Sequence, residues 1–265
     1  MKSQRRIEVL FTPAEFEALS TRDLATVTCV VFDVLRATTS MITALANGAT
    51  LVMPVADIPG ALALRRRDPD YLLAGERQGL RIRADQANGV DFDFGNSPRE
   101  FTPDRVRDRR IAMTTTNGTC ALRAAGRARR ALVTALINLQ ATADEIRRDP
   151  PANLPLIGAG THEEAALEDV LAAGALCDRV WDLYGKGHVA DSALMALQLY
   201  RQHQADLPAA VRLAQNARRL LAQPELRDDV DAALRIDSAP ILVTGHPDGT
   251  VRPVALESRP RRGRS

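Results

Sequence analysis

The chain has 265 residues, of which 45% are hydrophobic, 35 are basic and 33 are acidic, so its formal net charge is only +2. This composition is typical of a globular protein with a sizeable core and argues against disorder. The near balance of charge gives no reason to expect a nucleic acid as partner, and no apolar run approaches the ~18 residues of a membrane span.

The termini and the cysteines favour a cytoplasmic protein. The basic residues at the N-terminus are not followed by the apolar core of a secretion signal. The three cysteines, Cys29, Cys120 and Cys177, are scattered without a CxxC or Cys/His cluster, which argues against a zinc site and a disulfide framework. We expect a single domain over 1–258 and a frayed basic tail at 259–265.

Strand and helix signals alternate along the first two-thirds of the chain. The patterns predict strands at 27–34, 50–55, 71–74, 110–114, 130–135 and 154–159 and helices at 39–47, 57–66, 119–127, 139–148 and 165–183. A long irregular segment at 78–103 contains strong turn signals and exceeds the length of an ordinary connection.

The final third is mostly helical in pattern. Helices are predicted at 190–204, 208–221 and 224–234, followed by a last strand at 239–244. Strands separated by helices at this spacing predict an α/β protein, a three-layer α/β/α sandwich. Its sheet is expected to be largely parallel or mixed, with a helix-rich C-terminal third.

Polar residues follow five of the predicted strands at the point where each strand ends. They are Asp33 with Arg36, then Glu76, the Thr-Thr-Thr-Asn-Gly-Thr run at 114–119, Asn138, and Gly158-Ala159-Gly160-Thr161. If these strands are parallel, all five clusters lie along one edge of the sheet. Ligands bind at the carboxyl ends of strands in open α/β sheets, so this edge is the predicted site.

Asp33 and Arg36 place a carboxylate and a guanidinium three residues apart at the end of a buried strand. Such a pair suits a divalent cation beside a phosphate. Two structural interpretations stay open, in which Asp33 caps the next helix and Arg36 forms a bridge with Asp33. Because position 35 is Leu, the Asp-x-Asp pattern of a phosphoaspartate enzyme is not met.

The run at 114–119 stands where a strand gives way to a helix. Unpaired N–H groups at a helix N-terminus favour an anion, and Gly118 allows a close approach of the backbone. The hydroxyls of Thr115 and Thr116 could add donors, although an ordinary helix cap explains the run equally well. The run lacks the Gly-Lys-Ser/Thr ending of a Walker loop, and no GxGxxG motif follows the first strand.

Four acids could supply ligands to Mg²⁺, which takes one or two carboxylates together with water and substrate oxygens. They are Asp33, Glu76, Glu168 and Asp169. A solvated helix face is the alternative for Glu168 and Asp169. The four histidines have no metal-ligand spacing and are interpreted as non-ligands, His162 among them.

These clusters, in this order, resemble the motifs of the 2-phosphosulfolactate phosphatase family. The matching segments are 33–39 (DVLRATT), 74–77 (AGER), 94–98 (FGNSP), 114–119 (TTTNGT), Asn138, 158–160 (GAG), 167–169 (LED) and 173–174 (AG). The resemblance implies a Mg²⁺-dependent phosphatase with a layered α/β/α fold. The reaction it implies converts 2-phosphosulfolactate to sulfolactate and phosphate, a step toward coenzyme M.

The resemblance also implies a set of site residues. Asp33, Arg36 and Glu76 are expected to be catalytic, and Mg²⁺ is expected on Asp33, Glu76 and Glu168 or Asp169. The residues expected around the phosphate and substrate are Arg36, Thr38, Asn96, Ser97, Thr115, Thr116, Asn117, Gly118 and Asn138. We expect direct attack of water on the phosphorus, with Arg36 and the N–H groups of Asn117 and Gly118 holding phosphoryl oxygens.

Three questions stay open at this stage. The substrate is expected to be a small phosphorylated and sulfonated acid, but a different 2-phospho-acid is an alternative. A non-catalytic protein that binds phosphorylated metabolites on the same scaffold is another, although several metal-directed acids favour the enzyme. A homodimer is the commonest oligomeric state and is a possible one here.

Overall fold

The computed structural model describes residues 5–254 of the chain. These residues contain a single mixed sheet with helices packed against it. The strands are β1 (Arg6–Leu10), β2 (Thr28–Phe32), β3 (Leu51–Pro54), β4 (Tyr71–Arg77), β5 (Leu80–Arg81), β6 (Arg110–Thr114), β7 (Arg130–Thr134), β8 (Asn153–Gly158), β9 (His188–Val189), β10 (Val243–Gly245) and β11 (Val251–Pro253). Their order across the sheet is β5-β4-β6-β3-β11-β10-β7-β2-β8-β1-β9.

The helices lie between these strands and dominate the C-terminal third. They are α1 (Pro13–Glu17), α2 (Ala37–Ala46), α3 (Ile58–Arg67), α4 (Pro103–Val106), α5 (Gly118–Ala125), α6 (Leu139–Arg148), α7 (Leu167–Tyr184), α8 (Asp191–His203), α9 (Leu207–Arg212), α10 (Gln215–Leu221) and α11 (Arg227–Ala233). The predicted α/β class, with a mixed sheet and a helix-rich final third, is confirmed.

Several predicted elements differ from those observed. The predicted helix at 208–221 is two helices, α9 and α10, because the chain is extended at Ala214 between them. The predicted last strand at 239–244 is only β10, which begins at Val243. The sequence patterns also missed the short strands β5, β9 and β11 and the parallel strand β1, which pairs with β8.

The sheet contains two sets of parallel strands that run in opposite directions. One set is β4, β6 and β3, and the other is β7, β2, β8, β1 and β9. The β10–β11 hairpin joins them, since β10 is antiparallel to β7 and β11 is antiparallel to β3. The expectation that the five clusters share one edge because all five strands are parallel is therefore wrong.

Two helices nevertheless bring the ends of both sets together. Helix α2 follows β2 but packs against β3, β11 and β7, whereas α5 follows β6 but packs against β2 and β7. The first turns of α2 and α5 thus meet between the two sets of strands. The residues that follow β2 thus lie beside those that follow β6 because α2 and α5 pack across the two sets of strands, and not because the strands share a direction.

The segment at 78–103 is packed rather than loose. Strand β5 pairs with the end of β4, and Ile82, Phe92 and Phe94 are fully buried. The Phe94 ring stacks on Phe101 with 4.9 Å between centroids, and the Arg105 guanidinium lies over the Phe94 ring, 4.2 Å from its centroid. The apolar residues of this segment hold its polar motif, 94–98, against the end of β4.

Two predictions on the whole chain are only partly covered by the structure. Along residues 5–254, no helix is long and apolar enough to cross a membrane. The basic tail at 259–265 and the domain boundary at 258 lie outside the described residues. The tail, the boundary, the cytoplasmic location and the homodimer stay predictions.

Candidate active site

A polar cavity of about 520 Å³ opens beside the point where the starts of α2 and α5 meet, and the segments that lead into the two helices line it. Its walls come from the segments after β2, β4, β6 and β8 and from α10. The residues that line it are Asp33, Leu35, Arg36, Glu76, Arg77, Gln78, Gln86, Asn96, Thr115, Thr116, Asn117, Thr161, His162, Asn216 and Arg219. A second cavity, of about 440 Å³ and bordered by Leu122 and His246, contains none of the predicted site residues.

Asp33 caps α2 and also faces this cavity. The N-cap position of α2 is Arg36, but Asp33 Oδ1 accepts a hydrogen bond from the Ala37 N–H at 2.9 Å, so its side chain satisfies the first N–H of the helix. Thr38 also stabilises the turn between β2 and α2, because its hydroxyl donates to the Asp33 carbonyl at 2.9 Å. Thr38 does not line the cavity and acts as a support for Asp33.

Gly118 allows Asp33 to sit against the start of α5. A Cβ at this position would stand 2.5 Å from Asp33 Oδ2 and 2.5 Å from Ala37 Cβ, far closer than atoms pack. Only glycine therefore permits the contact between the two helix starts. Gly118 also lies in the first turn of α5, where backbone N–H groups have no partner within the helix.

The electrostatic surroundings of Asp33 oppose its ionisation. The pKa of Asp33 is raised to about 7, mainly by burial and in part by the charges of Glu168 and Glu76, while the Ala37 hydrogen bond and the Arg36 charge oppose the shift. Burial likewise raises the pKa of Glu168, and it raises the pKa of Asp169 together with the charges of Glu168 and Asp33. Three acids of this site thus repel one another in a poorly solvated region.

Glu168 and Asp169 begin α7 but are not on a solvated helix face, because both are buried. Asp169 Oδ1 accepts from the Val34 N–H at 2.8 Å, which ties α7 to the segment after β2. Glu168 Oε1 accepts from Asn216 Nδ2 at 2.7 Å, and the same amide donates to Thr161 Oγ1 at 2.5 Å. Glu168 Oε2 is buried with no hydrogen-bond partner.

Glu76 differs from the other acids because its carboxylate is fully engaged. Oε2 accepts from the Gly79 N–H at 2.7 Å, and Oε1 accepts from both the N–H and the hydroxyl of Thr116 at 2.9 and 2.8 Å. Burial works against ionisation, but these hydrogen bonds outweigh it and lower the pKa of Glu76. Glu76 therefore links the end of β4 to the threonine run as a carboxylate.

Arg36 pairs with an acid that the sequence analysis did not consider. Its Nη1 donates to Asp229 Oδ2 at 2.6 Å, and its Nη2 donates to the Gly79 carbonyl at 2.6 Å. The bridge between Arg36 and Asp33, an alternative that the sequence left open, is absent from the ion pairs of residues 5–254. Ser97 does not line the cavity, since its hydroxyl donates to Asp229 Oδ1 at 2.6 Å.

The two asparagines of the predicted set have different places. Asn96 lines the cavity, and its Oδ1 is buried with no hydrogen-bond partner. Asn138 does not line it. Its Oδ1 accepts from the Ala135 N–H and its amide donates to the carbonyls of Val133 and Ile241, which fixes the turn after β7. The expectation that Asn138 contacts substrate is thus replaced by a structural role.

Eight residues that line the cavity were absent from the predicted set. They are Leu35, Arg77, Gln78, Gln86, Thr161, His162, Asn216 and Arg219. Arg77 belongs to the AGER motif, and a closer reading of its position next to Glu76 could have found it. His162, interpreted as a non-ligand, stands at the cavity with a left-handed backbone, φ +54°. Asn216 and Arg219 come from α10, where no local pattern indicated chemistry.

The acids fit a cation bound by few protein ligands better than a complete protein cage. Within residues 5–254, no three His, Cys, Asp or Glu side chains form a group that could hold a metal ion. Mg²⁺ is usually bound by one or two carboxylates plus substrate oxygens and water. Asp33 and Glu168 are a suitable pair, since a cation would relieve their repulsion and give Glu168 Oε2 a partner.

Comparisons with known proteins agree with the sequence motifs. Residues 11–246 match the model of the family described as 2-phosphosulpholactate phosphatase. A relative from Synechococcus sp. (strain JA-3-3Ab) is 41% identical over 78% of this chain and 84% of its own length. One from Deinococcus radiodurans is 39% identical over 86% and 91%, and one from Synechococcus sp. (strain CC9605) is 35% identical over 93% and 99%. Each is named a probable 2-phosphosulfolactate phosphatase.

Proposed function

The chain belongs to the 2-phosphosulpholactate phosphatase family of phosphoric monoester hydrolases, and we propose that its polar cavity hydrolyses 2-phosphosulfolactate to sulfolactate and phosphate. One observation carries the proposal. Asp33, Arg36 and the segment 115–117 that leads into α5 line one cavity, so a carboxylate, a guanidinium and the start of a helix border the same small volume. These are the groups that phosphoryl transfer needs.

Positioning and charge account for most of the chemistry in this proposal. The transition state of phosphoryl transfer is loose, with negative charge spread over the equatorial oxygens. Arg36 has five N–H donors, of which Asp229 and the Gly79 carbonyl take two, so others are available to a phosphoryl oxygen. The first turn of α5 adds N–H groups and the positive end of the helix dipole.

Mg²⁺ is part of the proposal. Asp33 and Glu168 would hold it, and Asn96 Oδ1 is a buried oxygen of the same site that lacks a partner. The bound ion supplies charge neutralisation to the phosphoryl group. Glu76 and Asp169 have supporting roles in this scheme, because their hydrogen bonds to Gly79, Thr116 and Val34 fix the surrounding backbone.

The remaining cationic groups favour a substrate with acidic groups besides the phosphate. Arg77 donates to the Glu76 carbonyl and to Thr114 Oγ1, and Arg219 donates to Asn216 Oδ1. These acceptors are neutral, so the bonds hold the two side chains at the cavity without cancelling their charge. A carboxylate and a sulfonate on a three-carbon body would match them.

Phosphate release tests the function and separates it from the alternatives. The assay compares 2-phosphosulfolactate, 2-phospholactate and p-nitrophenyl phosphate, each with Mg²⁺ and with EDTA, and uses D33N as the inactive control. We expect turnover that needs Mg²⁺ and prefers the sulfonated ester. Preference for 2-phospholactate would move the assignment to another 2-phospho-acid, and no release by the folded protein would favour a binding protein.

A further inference from the structure

The buried carboxylate of Asp229 holds the guanidinium of Arg36 in place from the C-terminal third of the chain. Asp229 lies in α11 and has no exposed surface. A carboxylate in such a place requires partners, and each of its oxygens has a hydrogen bond of 2.6 Å: Oδ2 accepts from Arg36 Nη1 and Oδ1 accepts from Ser97 Oγ. Arg99 Nη1 also lies 3.6 Å from Oδ1. None of these partners comes from the helical third.

The two anchors of Arg36 come from two distant parts of the chain. Asp229 holds Nη1, and the carbonyl of Gly79, in the turn after β4, holds Nη2. A planar guanidinium with both terminal nitrogens fixed has little freedom left, which a lysine ammonium in its place would not share. Since Arg36 lines the cavity, the orientation that these anchors set is the orientation offered to the substrate.

We propose that Asp229 is a positioning residue, which acts on catalysis through Arg36. The inference rests on the proposed phosphatase function of the cavity. It assigns a role to α11, a helix in which no sequence motif indicated chemistry. Ser97, expected beside the substrate, serves instead as the second anchor of this carboxylate.

A double-mutant cycle with Arg36 tests this role. D229N keeps the size of the side chain but removes its charge, so kcat/KM should fall about 10- to 100-fold, the scale of a misplaced catalytic group. If Asp229 acts through Arg36, the double variant R36Q/D229N should be no slower than R36Q alone. Multiplication of the two losses would overturn the proposal.

The neighbouring acid provides the matched control. Asp228 is adjacent in α11, its side chain is 62% exposed, and it shares with Asp229 the neighbour Arg99, which lies 3.6 Å from each carboxylate. D228N therefore makes the same change in net charge without touching Arg36, and it should leave kcat/KM unchanged. A loss with D228N equal to that with D229N would mean that the helix charge, rather than the contact, matters, and would also overturn the proposal.

Two further measurements keep the result decisive. If D229N does not fold, S97A takes its place, because it frees the other oxygen of the same carboxylate; its loss should again be absent on the R36Q background. Calorimetric titration with inorganic phosphate measures the phosphate affinity of each variant in the same cycle, without turnover. Absence of phosphate release by the wild type would thus refute the proposed function, while additive losses of phosphate affinity would refute the role of Asp229.

Discussion

Substitution of Gly118 by alanine tests whether the meeting of α2 and α5 creates the active site. The new Cβ would stand 2.5 Å from both Asp33 Oδ2 and Ala37 Cβ, and 3.2 Å from Asp33 Cγ. Carbon atoms pack at about 3.5–4.0 Å, so the two helix starts must separate by about 1 Å. The backbone of Gly118 needs no left-handed conformation, hence the effect is purely one of space.

The expected magnitude follows from that displacement. A shift of about 1 Å in a catalytic group lowers the rate by about 100-fold, which corresponds to about 2.7 kcal/mol in activation free energy. Overpacking costs about 1–3 kcal/mol in the free energy of unfolding, and alanine regains up to about 1 kcal/mol of helix propensity. G118A should therefore fold and lose most of its activity.

The assay is phosphate release from 2-phosphosulfolactate, together with urea unfolding to show that the variant is folded. G245A is the matched control, because a Cβ at Gly245 would be 3.4 Å from its nearest neighbour, Ala131 Cβ, which is an ordinary contact. Its kcat/KM should equal that of the wild type. If G118A also retains wild-type kcat/KM, the contact between Asp33 and α5 has no role in turnover and the reasoning fails.

Three other predictions concern Asp33, Mg²⁺ and Asn138. D33N should retain its circular dichroism but keep less than about 1% of kcat, the usual scale for a lost charge-stabilising group; full activity would reject the role. The pKa of Asp33 is raised from 3.8 to about 7, so its contribution to stability is present below pH 3.8 and is lost as the pH rises through 7. In EDTA, D33N should accordingly flatten the dependence of the unfolding free energy on pH between these values, and an unchanged slope would contradict the raised pKa. Mg²⁺ at about 100 times its Kd should stabilise the wild type by about 2.7 kcal/mol in thermal unfolding and should not stabilise D33N. N138A should lose about 1–3 kcal/mol of stability, because buried partners in the turn after β7 become unsatisfied, while kcat of the folded variant stays unchanged; a selective loss of kcat would place Asn138 in the site after all.

Local pattern was sufficient for most of the long elements and for the fold class. Buried strands such as β2 are continuous apolar runs, and the helices that follow them have clear starts, so their positions are visible in the sequence. The short strands β9 and β11, with two and three residues, were missed because such lengths give no periodicity. The break at Ala214 has no glycine or proline to announce it, and it coincides with the hydrogen bonds of Asn216 to Thr161 and Glu168.

The same distinction, between what local pattern shows and what tertiary packing decides, applies to the residues of the site. Asp33 and Thr116 follow strand ends, and Glu76 lies in the last two residues of β4. The sequence analysis placed them together for a reason that was wrong, since β2 and β6 belong to oppositely directed sets of strands. Thr38, Ser97 and Asn138 are part of the motifs, yet they do not line the cavity, and their side chains hydrogen-bond to other protein groups. A motif reports that a residue type is needed at a position but not which atom it contacts.

The sequence by itself determined the family, the fold class and the strand-end motifs, because these depend on residues that are neighbours along the chain. Only the tertiary structure decided three features of the site. Helices α2 and α5 pack across the two sets of strands, and Gly118 leaves room for the Asp33 carboxylate. Arg36 is held by Asp229, which lies 193 positions away. Hydrophobic periodicity records which face of an element is buried. Hydrogen bonds between buried charges depend on which elements come together, and that is set by the packing of the whole sheet.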